Sequence, residues 1–168
     1  SSLARAGRKT LLLDGDLRRP SVHQMFELAP QPGFSEVLLE EVPLADAIVE
    51  TPLENLWVLP AGQWDREVLL ALSRDGVGDI FERIGEEFDF VLIDSHPVLE
   101  AADALHIGRQ VDAVLLSVLN GVSQMPRVYA ASQQMTSLGI RVLGAVVNAA
   151  NPEDALTTPA PVAVSMPH

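Results

Sequence analysis

Residues 11–20 read Leu11-Leu12-Leu13-Asp14-Gly15-Asp16-Leu17-Arg18-Arg19-Pro20, an apolar run that ends in two carboxylates around a glycine. Just before it, Ser1 to Gly7 has the pattern of a helix that ends at a glycine cap. A continuous apolar run that follows a helix is typical of a strand buried in a parallel sheet. Ligands bind such sheets at the carboxyl ends of the strands, which is where these acids stand.

The rest of the chain alternates between strand and helix patterns. The predicted strands are residues 9–13, 55–59, 88–93, 113–118 and 142–147. Between them, apolar residues recur at steps of three and four, as on one face of a helix. The alternation predicts a three-layer α/β/α fold with a mostly parallel sheet.

Polar residues follow several of these strands. Asp94 ends the strand at 88–93, Asn120 follows the next, and Asn148 ends the last. Clustered carboxylates resist ionisation unless a cation is near, and Mg²⁺ favours one or two carboxylates together with phosphate oxygens. The predicted metal residues are therefore Asp14, Asp16 and Asp94. Two simpler interpretations stay open: Asp94 caps the next helix, or Arg18 and Arg19 pair with the acids in a surface network.

Composition excludes several classes of protein. The chain has 168 residues, 48% of them apolar, a net charge of −12 and no cysteine. The negative charge opposes binding to nucleic acid or to an anionic membrane, and the absence of cysteine removes thiol chemistry. No apolar run reaches the roughly 20 residues of a membrane-spanning helix. We expect one core over residues 1–150 and an irregular, proline-containing tail at 151–168.

With these motifs in view, the chain resembles the bacterial tyrosine kinases, P-loop enzymes that regulate capsular and exopolysaccharide export. Residues 12–20 are similar to their Walker A′ motif, and residues 88–99 resemble their Walker B segment. The stretches 33–38, 60–62 and 102–116 agree as well, so the resemblance covers residues 1 to about 150. The wider MinD/ParA-like group shares the sheet but usually lacks the arginine-proline extension.

The resemblance implies roles for individual residues. Asp14 and Asp16 would serve the Mg²⁺ shell and the acceptor, one as the general base for a tyrosine hydroxyl and the other holding the metal through water. Asp94 would be the Walker B metal residue, and Arg18 would lie near phosphate or acceptor. Asn148 would match the asparagine that hydrogen-bonds adenine. Phosphoryl transfer depends mainly on positioning and on charge neutralisation, which fits such a set.

The same resemblance implies cofactors, partners and location. The cofactors would be ATP and Mg²⁺. The partners would be a membrane activator or polysaccharide co-polymerase of the export system, further copies of the chain, and a protein that offers a tyrosine. Neither nucleic acid nor direct membrane insertion is expected. The location would be cytoplasmic, at the inner face of the bacterial plasma membrane through a partner or a missing N-terminal segment.

A Walker A loop, Gly-x-x-x-x-Gly-Lys-Ser/Thr, does not occur in the sequence. Gly7-Arg8-Lys9-Thr10 imitates its last letters, but it leads into a strand, and Lys9 is the only lysine. We therefore expect a fragment that is truncated at its N-terminus, lacks the first strand and the phosphate loop, and neither binds ATP tightly nor transfers phosphate alone.

Other departures keep alternatives open. The chain has one tyrosine, Tyr129, in a predicted helix, and none in its tail. His96 stands where the family usually has proline or alanine, either as a proton relay or as a tolerated loop substitution. The alternatives to a protein-tyrosine kinase are a MinD/ParA-like ATPase and a non-catalytic interaction module that has lost its nucleotide site.

Overall fold

The computed structural model describes residues 2–29, 31–74 and 76–149. The predicted tail at 151–168 lies outside them. Within them, no helix combines the length and the apolar character needed to cross a membrane. The helices are α1 (Ser2–Arg5), α2 (Val22–Met25), α3 (Phe34–Leu38), α4 (Leu44–Ala47), α5 (Arg66–Leu72), α6 (Val77–Glu87), α7 (Asp103–Gly108) and α8 (Met125–Ser137). The strands are β1 (Thr10–Gly15), β2 (Val49–Glu50), β3 (Leu56–Leu59), β4 (Phe90–Ser95), β5 (Val114–Leu119) and β6 (Val142–Asn148).

The strand built from the opening motif lies inside a four-stranded sheet of order β2-β3-β1-β4. β1 pairs in parallel with β3 on one side and with β4 on the other. Leu11 and Leu13 are fully buried, as a continuous apolar run predicts. The short β2 pairs antiparallel with β3, so the sheet is mixed at that edge.

The remaining two strands, β5 and β6, form a separate parallel pair. The sequence predicted a mostly parallel sheet, and within the described residues this sheet is divided into a four-stranded part and a two-stranded part. The strands on both sides of the division expose apolar side chains: Leu92 in β4 is 43% exposed and Leu115 in β5 is 60% exposed. The α/β class and the mostly parallel pairing are confirmed.

The main core lies around β1 and β3. Phe34 of α3 is fully buried and meets Phe81 of α6 edge to face, with ring centroids 5.8 Å apart. Val68 of α5 and Ile84 of α6 are fully buried in the same cluster. Helices α3, α5 and α6 therefore bury the apolar face that their spacing predicts.

A backbone clasp joins the start of α3 to the turn after β3. The amides of Phe34 and Ser35 donate to the carbonyls of Pro60 and Ala61 at 2.7 and 2.8 Å. A Cβ on Gly33 would lie 2.2 Å from the Pro60 oxygen, so this approach requires glycine. The two motifs at 33–38 and 60–62 thus lie against each other.

The Glu36 carboxylate closes this clasp. One oxygen accepts the Gly33 amide at 2.7 Å, and the other accepts the Gln63 amide at 2.9 Å. The first bond is the glutamate half of a capping box at the N-terminus of α3, because Gly33 has no side chain to bond in return. A single side chain therefore joins the two ends of the clasp.

Candidate active site at the carboxyl edge of the sheet

Asp14 is fully buried at the end of β1. Its Oδ2 accepts the amides of Ser21 and Val22, both at 2.9 Å, at the start of α2. Its Oδ1 is buried and has no hydrogen-bond partner among the described residues. A buried acceptor without a donor is costly, so this oxygen is suited to a cation or a further donor.

Burial is the main influence on the protonation of Asp14. It raises the pKa of this carboxyl above its ordinary value of 3.8, and the nearby negative charge of Asp94 acts in the same direction. The amides of Val22 and Ser21 oppose the rise because they favour the ionised form. A cation at this edge would relieve the repulsion between the two acids.

Asp94 lies on the neighbouring strand, in register with Asp14. Its side chain is exposed, and among the described residues it receives no hydrogen bond of the kind that a helix cap makes. Gly15 lets the two strand ends pack closely, because a Cβ there would lie 2.8 Å from the Asp94 carbonyl oxygen. The sheet therefore brings two carboxylate-bearing positions side by side at one edge, as the sequence predicts.

Asp16 takes a different direction from Asp14. Nδ1 of His96 lies 3.0 and 3.1 Å from its two carboxylate oxygens, and the Arg19 amide donates to Oδ1 at 3.0 Å. The side chains of Asp16 and His96 are only 15% and 9% exposed. The carboxylate is consequently contacted from two sides, by a histidine ring nitrogen and by a backbone amide from separate segments.

Arg18 contacts residues that lie outside the motif at residues 11–20. Its Nε donates to Asp103 at 2.8 Å, and Trp64 lies under its guanidinium at 5.5 Å from the ring centroid. This hydrogen bond raises the pKa of Arg18. Among the described residues, no ion pair joins Arg18 or Arg19 to the acids of the motif. Asp103 is buried, and Arg18 therefore ties the loop after β1 to α7.

Asn148 ends β6 in the two-stranded sheet. Its side-chain amide donates to the Ser117 hydroxyl of β5 at 2.9 Å. Its backbone carbonyl accepts a hydrogen bond from the backbone amide of Asn120 at 3.0 Å. The predicted position at the carboxyl edge of a strand is correct. The adenine contact implied for this residue stays a prediction.

The acids do not form a ready-made metal cage. Within the described ranges, no group of three or more acidic, histidine or cysteine side chains could hold an ion. The three-carboxylate cluster expected from Asp14, Asp16 and Asp94 is therefore not assembled, because Asp16 turns to His96 while Asp14 binds the start of α2. Mg²⁺ beside a nucleotide takes only one or two carboxylates, and the unpartnered Oδ1 of Asp14 fits that smaller demand.

Lys9 lies at the opposite edge of the sheet, immediately before β1. Its ammonium stands 4.7 Å from the Phe88 ring centroid and 5.4 Å from that of Trp57, and it pairs with Glu87 at 3.3 Å. Lys9 therefore packs against two aromatic rings and pairs with a glutamate, which agrees with the prediction that it is not a phosphate-binding lysine. A separate groove of about 490 Å³, lined by Val37 and Val77 among others, includes none of Asp14, Asp16 and Asp94.

Comparison with known proteins finds relatives of this chain. No protein-family model matches the chain. The CapB protein of Staphylococcus aureus is 34% identical over 145 residues, which are 86% of this chain and 64% of CapB. The tyrosine-protein kinase CpsD of Streptococcus pneumoniae is 32% identical over 148 residues, 88% of this chain and 65% of CpsD. The chain therefore spans slightly less than two thirds of either relative.

Solved structures agree with these relatives. The kinase domain of the Escherichia coli tyrosine kinase ETK superposes with a TM-score of 0.86 at 27% identity, over 99% of this chain and 63% of that domain. The chain is a homologue of the bacterial tyrosine kinases. MinD of Pyrococcus horikoshii, complexed with Mg-ADP, has a TM-score of 0.72 at 22% identity over 92% of this chain and 66% of MinD, which shows the shared P-loop fold alone.

Two features of this tyrosine kinase homologue were missed from sequence. The Arg18–Asp103 and Asp16–His96 contacts join residues 85 and 80 positions apart. His96 carried a signal, because it departs from the family pattern directly after the Walker B segment. Of the two interpretations left open from sequence, a tolerated loop substitution leaves the contact of His96 with Asp16 unexplained.

Proposed function

We propose that the protein containing this chain is an ATP- and Mg²⁺-dependent protein-tyrosine kinase of a capsular or exopolysaccharide export system. The observation that carries the proposal is the in-register pair Asp14 and Asp94 at the carboxyl edge of the parallel sheet, in a homologue of tyrosine kinases. The burial of Asp14 and its unpartnered oxygen support a metal role at this edge.

The environment of each residue suggests its role in phosphoryl transfer. Asp94 and Oδ1 of Asp14 would hold Mg²⁺, which when bound neutralises charge on the phosphate oxygens. Asp16, held by His96 and the Arg19 amide, keeps lone pairs free to accept the proton of a tyrosine hydroxyl on a carboxylate oxygen. Arg18, fixed by Asp103, orients the loop that carries Asp16.

Partners and location follow from the same proposal. A kinase of an export system would act with a membrane activator or polysaccharide co-polymerase at the inner face of the bacterial plasma membrane. Assembly into homo-oligomers and a protein tyrosine acceptor belong to the proposal as well. Asn148 would hydrogen-bond the adenine of ATP, and the hydrogen bond to Ser117 would orient its side-chain amide. Inactivity of the 168-residue chain alone stays a prediction.

One other function has an observation in its favour. The fold matches MinD ATPases with TM-scores of 0.72 and 0.73. In such an ATPase, the same carboxylates would position water instead of a tyrosine hydroxyl. The two functions differ only in the acceptor of the phosphoryl group.

Phosphate transfer in the full-length protein distinguishes them. The protein is incubated with radiolabelled ATP, with and without Mg²⁺, and both phosphotyrosine and free phosphate are measured. A kinase forms phosphotyrosine only when Mg²⁺ is present. Release of free phosphate without any phosphotyrosine, on the protein itself or on a tyrosine-rich peptide, contradicts the kinase assignment and supports the ATPase.

A further inference from the structure

A row of polar contacts extends from Asp16 toward α8. His96 lies between two carboxylates: Nδ1 is 3.0 Å from Asp16, and Nε2 is 3.7 Å from Glu100. Glu100 in turn pairs with Arg127 of α8 at 3.3 Å. The outer pair is 45% and 59% exposed and contributes little, whereas His96 and Asp16 are nearly buried. The inner contact is therefore the one that fixes a geometry.

The contact is specific in its geometry. One ring nitrogen of His96 is nearly equidistant from both oxygens of Asp16, at 3.0 and 3.1 Å, so it faces the carboxylate along its axis. The Arg19 amide approaches Oδ1 from within the loop after β1. With the ring nitrogen on one side and the amide on the other, the carboxylate is restricted to one orientation. A short acidic side chain in a loop would otherwise sample several orientations, and misplacement of a reacting group is costly in rate.

We propose that His96 is a positioning residue that holds the Asp16 carboxylate, through a hydrogen bond from Nδ1, in the orientation used for phosphoryl transfer. This inference rests on the proposed function for its catalytic consequence, but its geometric part stands independently. It requires that the proton of Nδ1 is present and points to Asp16. Neutral imidazoles in solution mostly carry the proton on Nε2 instead, so the arrangement has a spectroscopic signature.

The tautomer of His96 tests the geometric part. Nitrogen-15 spectra of the labelled protein are recorded at a pH of about 8.5, where free imidazoles are neutral. We expect a protonated Nδ1 in His96 of the wild type, and a proton on Nε2 after Asp16→Ala. An Nδ1 without a proton in the wild type, or a protonation of Nδ1 that Asp16→Ala leaves unchanged, overturns the proposal.

Substitutions at position 96 test the catalytic part. In the full-length protein, His96→Leu removes the donor, and we expect kcat to fall about tenfold while KM for ATP stays within about twofold. His96→Asn places a side-chain amide near the position of Nδ1, so most of the lost kcat should return. His106→Asn, a histidine of α7 outside these contacts, is the matched control and should retain wild-type kinetics.

The outcomes separate the two proposals. Wild-type kcat in His96→Leu, or no recovery in a well-folded His96→Asn, overturns the positioning role while the kinase assignment stands. A wild type that transfers no phosphate contradicts the proposed function, and the tautomer of His96 then decides alone whether it orients Asp16. Thermal unfolding of each variant verifies that a change in kcat does not reflect loss of folded protein.

Discussion

At the scale of single residues, Asp14 shows how much of the site is local and how much is not. Its place at the end of a buried strand follows directly from the apolar run before it. Its binding to the amides of Ser21 and Val22 does not, because α2 is only four residues long and carries no periodic signal. Sequence therefore located the acid but missed the helix that it caps.

Burial of Asp14 predicts a pH dependence of folding. Because its pKa is raised above 3.8, the folded protein binds more protons than the unfolded chain at pH values between 3.8 and the raised pKa. The contribution of Asp14 to the free energy of unfolding is then fully present below pH 3.8 and is lost as the pH rises through the raised pKa. The Asp14→Asn variant lacks this pH-dependent contribution to the free energy of unfolding, because asparagine does not ionise.

Urea denaturation followed by tryptophan fluorescence measures this difference. Wild type and Asp14→Asn are compared from a pH of about 3.5 to about 8, and the wild type should lose stability relative to the variant as the pH increases. A constant difference, or one of opposite slope, contradicts the environment assigned to Asp14.

At the scale of elements, all five strands predicted from the sequence are present, because each is a continuous apolar run of the kind that forms parallel sheets. β1, β4, β5 and β6 each lie within a few residues of the predicted range. The two-residue β2 was missed, since a strand so short has no pattern of its own. Gly7 ends α1 as predicted, with a positive φ of 78° and the paired hydrogen bonds of a Schellman motif.

The clasp between α3 and the turn after β3 gives a prediction at this scale. Glu36→Ala removes an acceptor from two backbone amides, so we expect a loss of about 2 kcal/mol in the free energy of unfolding. Glu41→Ala is the matched control, because Glu41 is exposed and should change stability by less than about 0.5 kcal/mol. Equal urea midpoints for Glu36→Ala and Glu41→Ala would show that the clasp does not stabilise the fold.

At the scale of the whole molecule, the division between the two sheets was not predictable from local patterns. Each strand signals burial, but the residues do not specify which strands pair. In the structure β4 and β5 expose Leu92 and Leu115, although their sequences read as core. Large exposed apolar areas and unpaired strand edges favour association.

We therefore expect the 168-residue chain to associate as its concentration increases. Sedimentation velocity of the wild type should show a rising mean mass, and Leu115→Lys should lower it. Leu70→Lys is the control, because Leu70 is 59% exposed and lies on helix α5 instead of on a strand. A wild type that stays monomeric at every concentration, or a Leu70→Lys variant with the same effect as Leu115→Lys, is incompatible with this expectation.

Turnover of Asp94→Asn in the full-length protein tests most directly whether the paired acids at the ends of β1 and β4 form the metal site. The side chain of Asp94 is exposed, so the midpoint of thermal unfolding should not fall, while Mg²⁺-dependent turnover should fall by about 100-fold or more. Asp89→Asn, just before the other end of β4, should keep wild-type turnover because asparagine still accepts the Lys9 amide. Full turnover in Asp94→Asn would contradict the assignment.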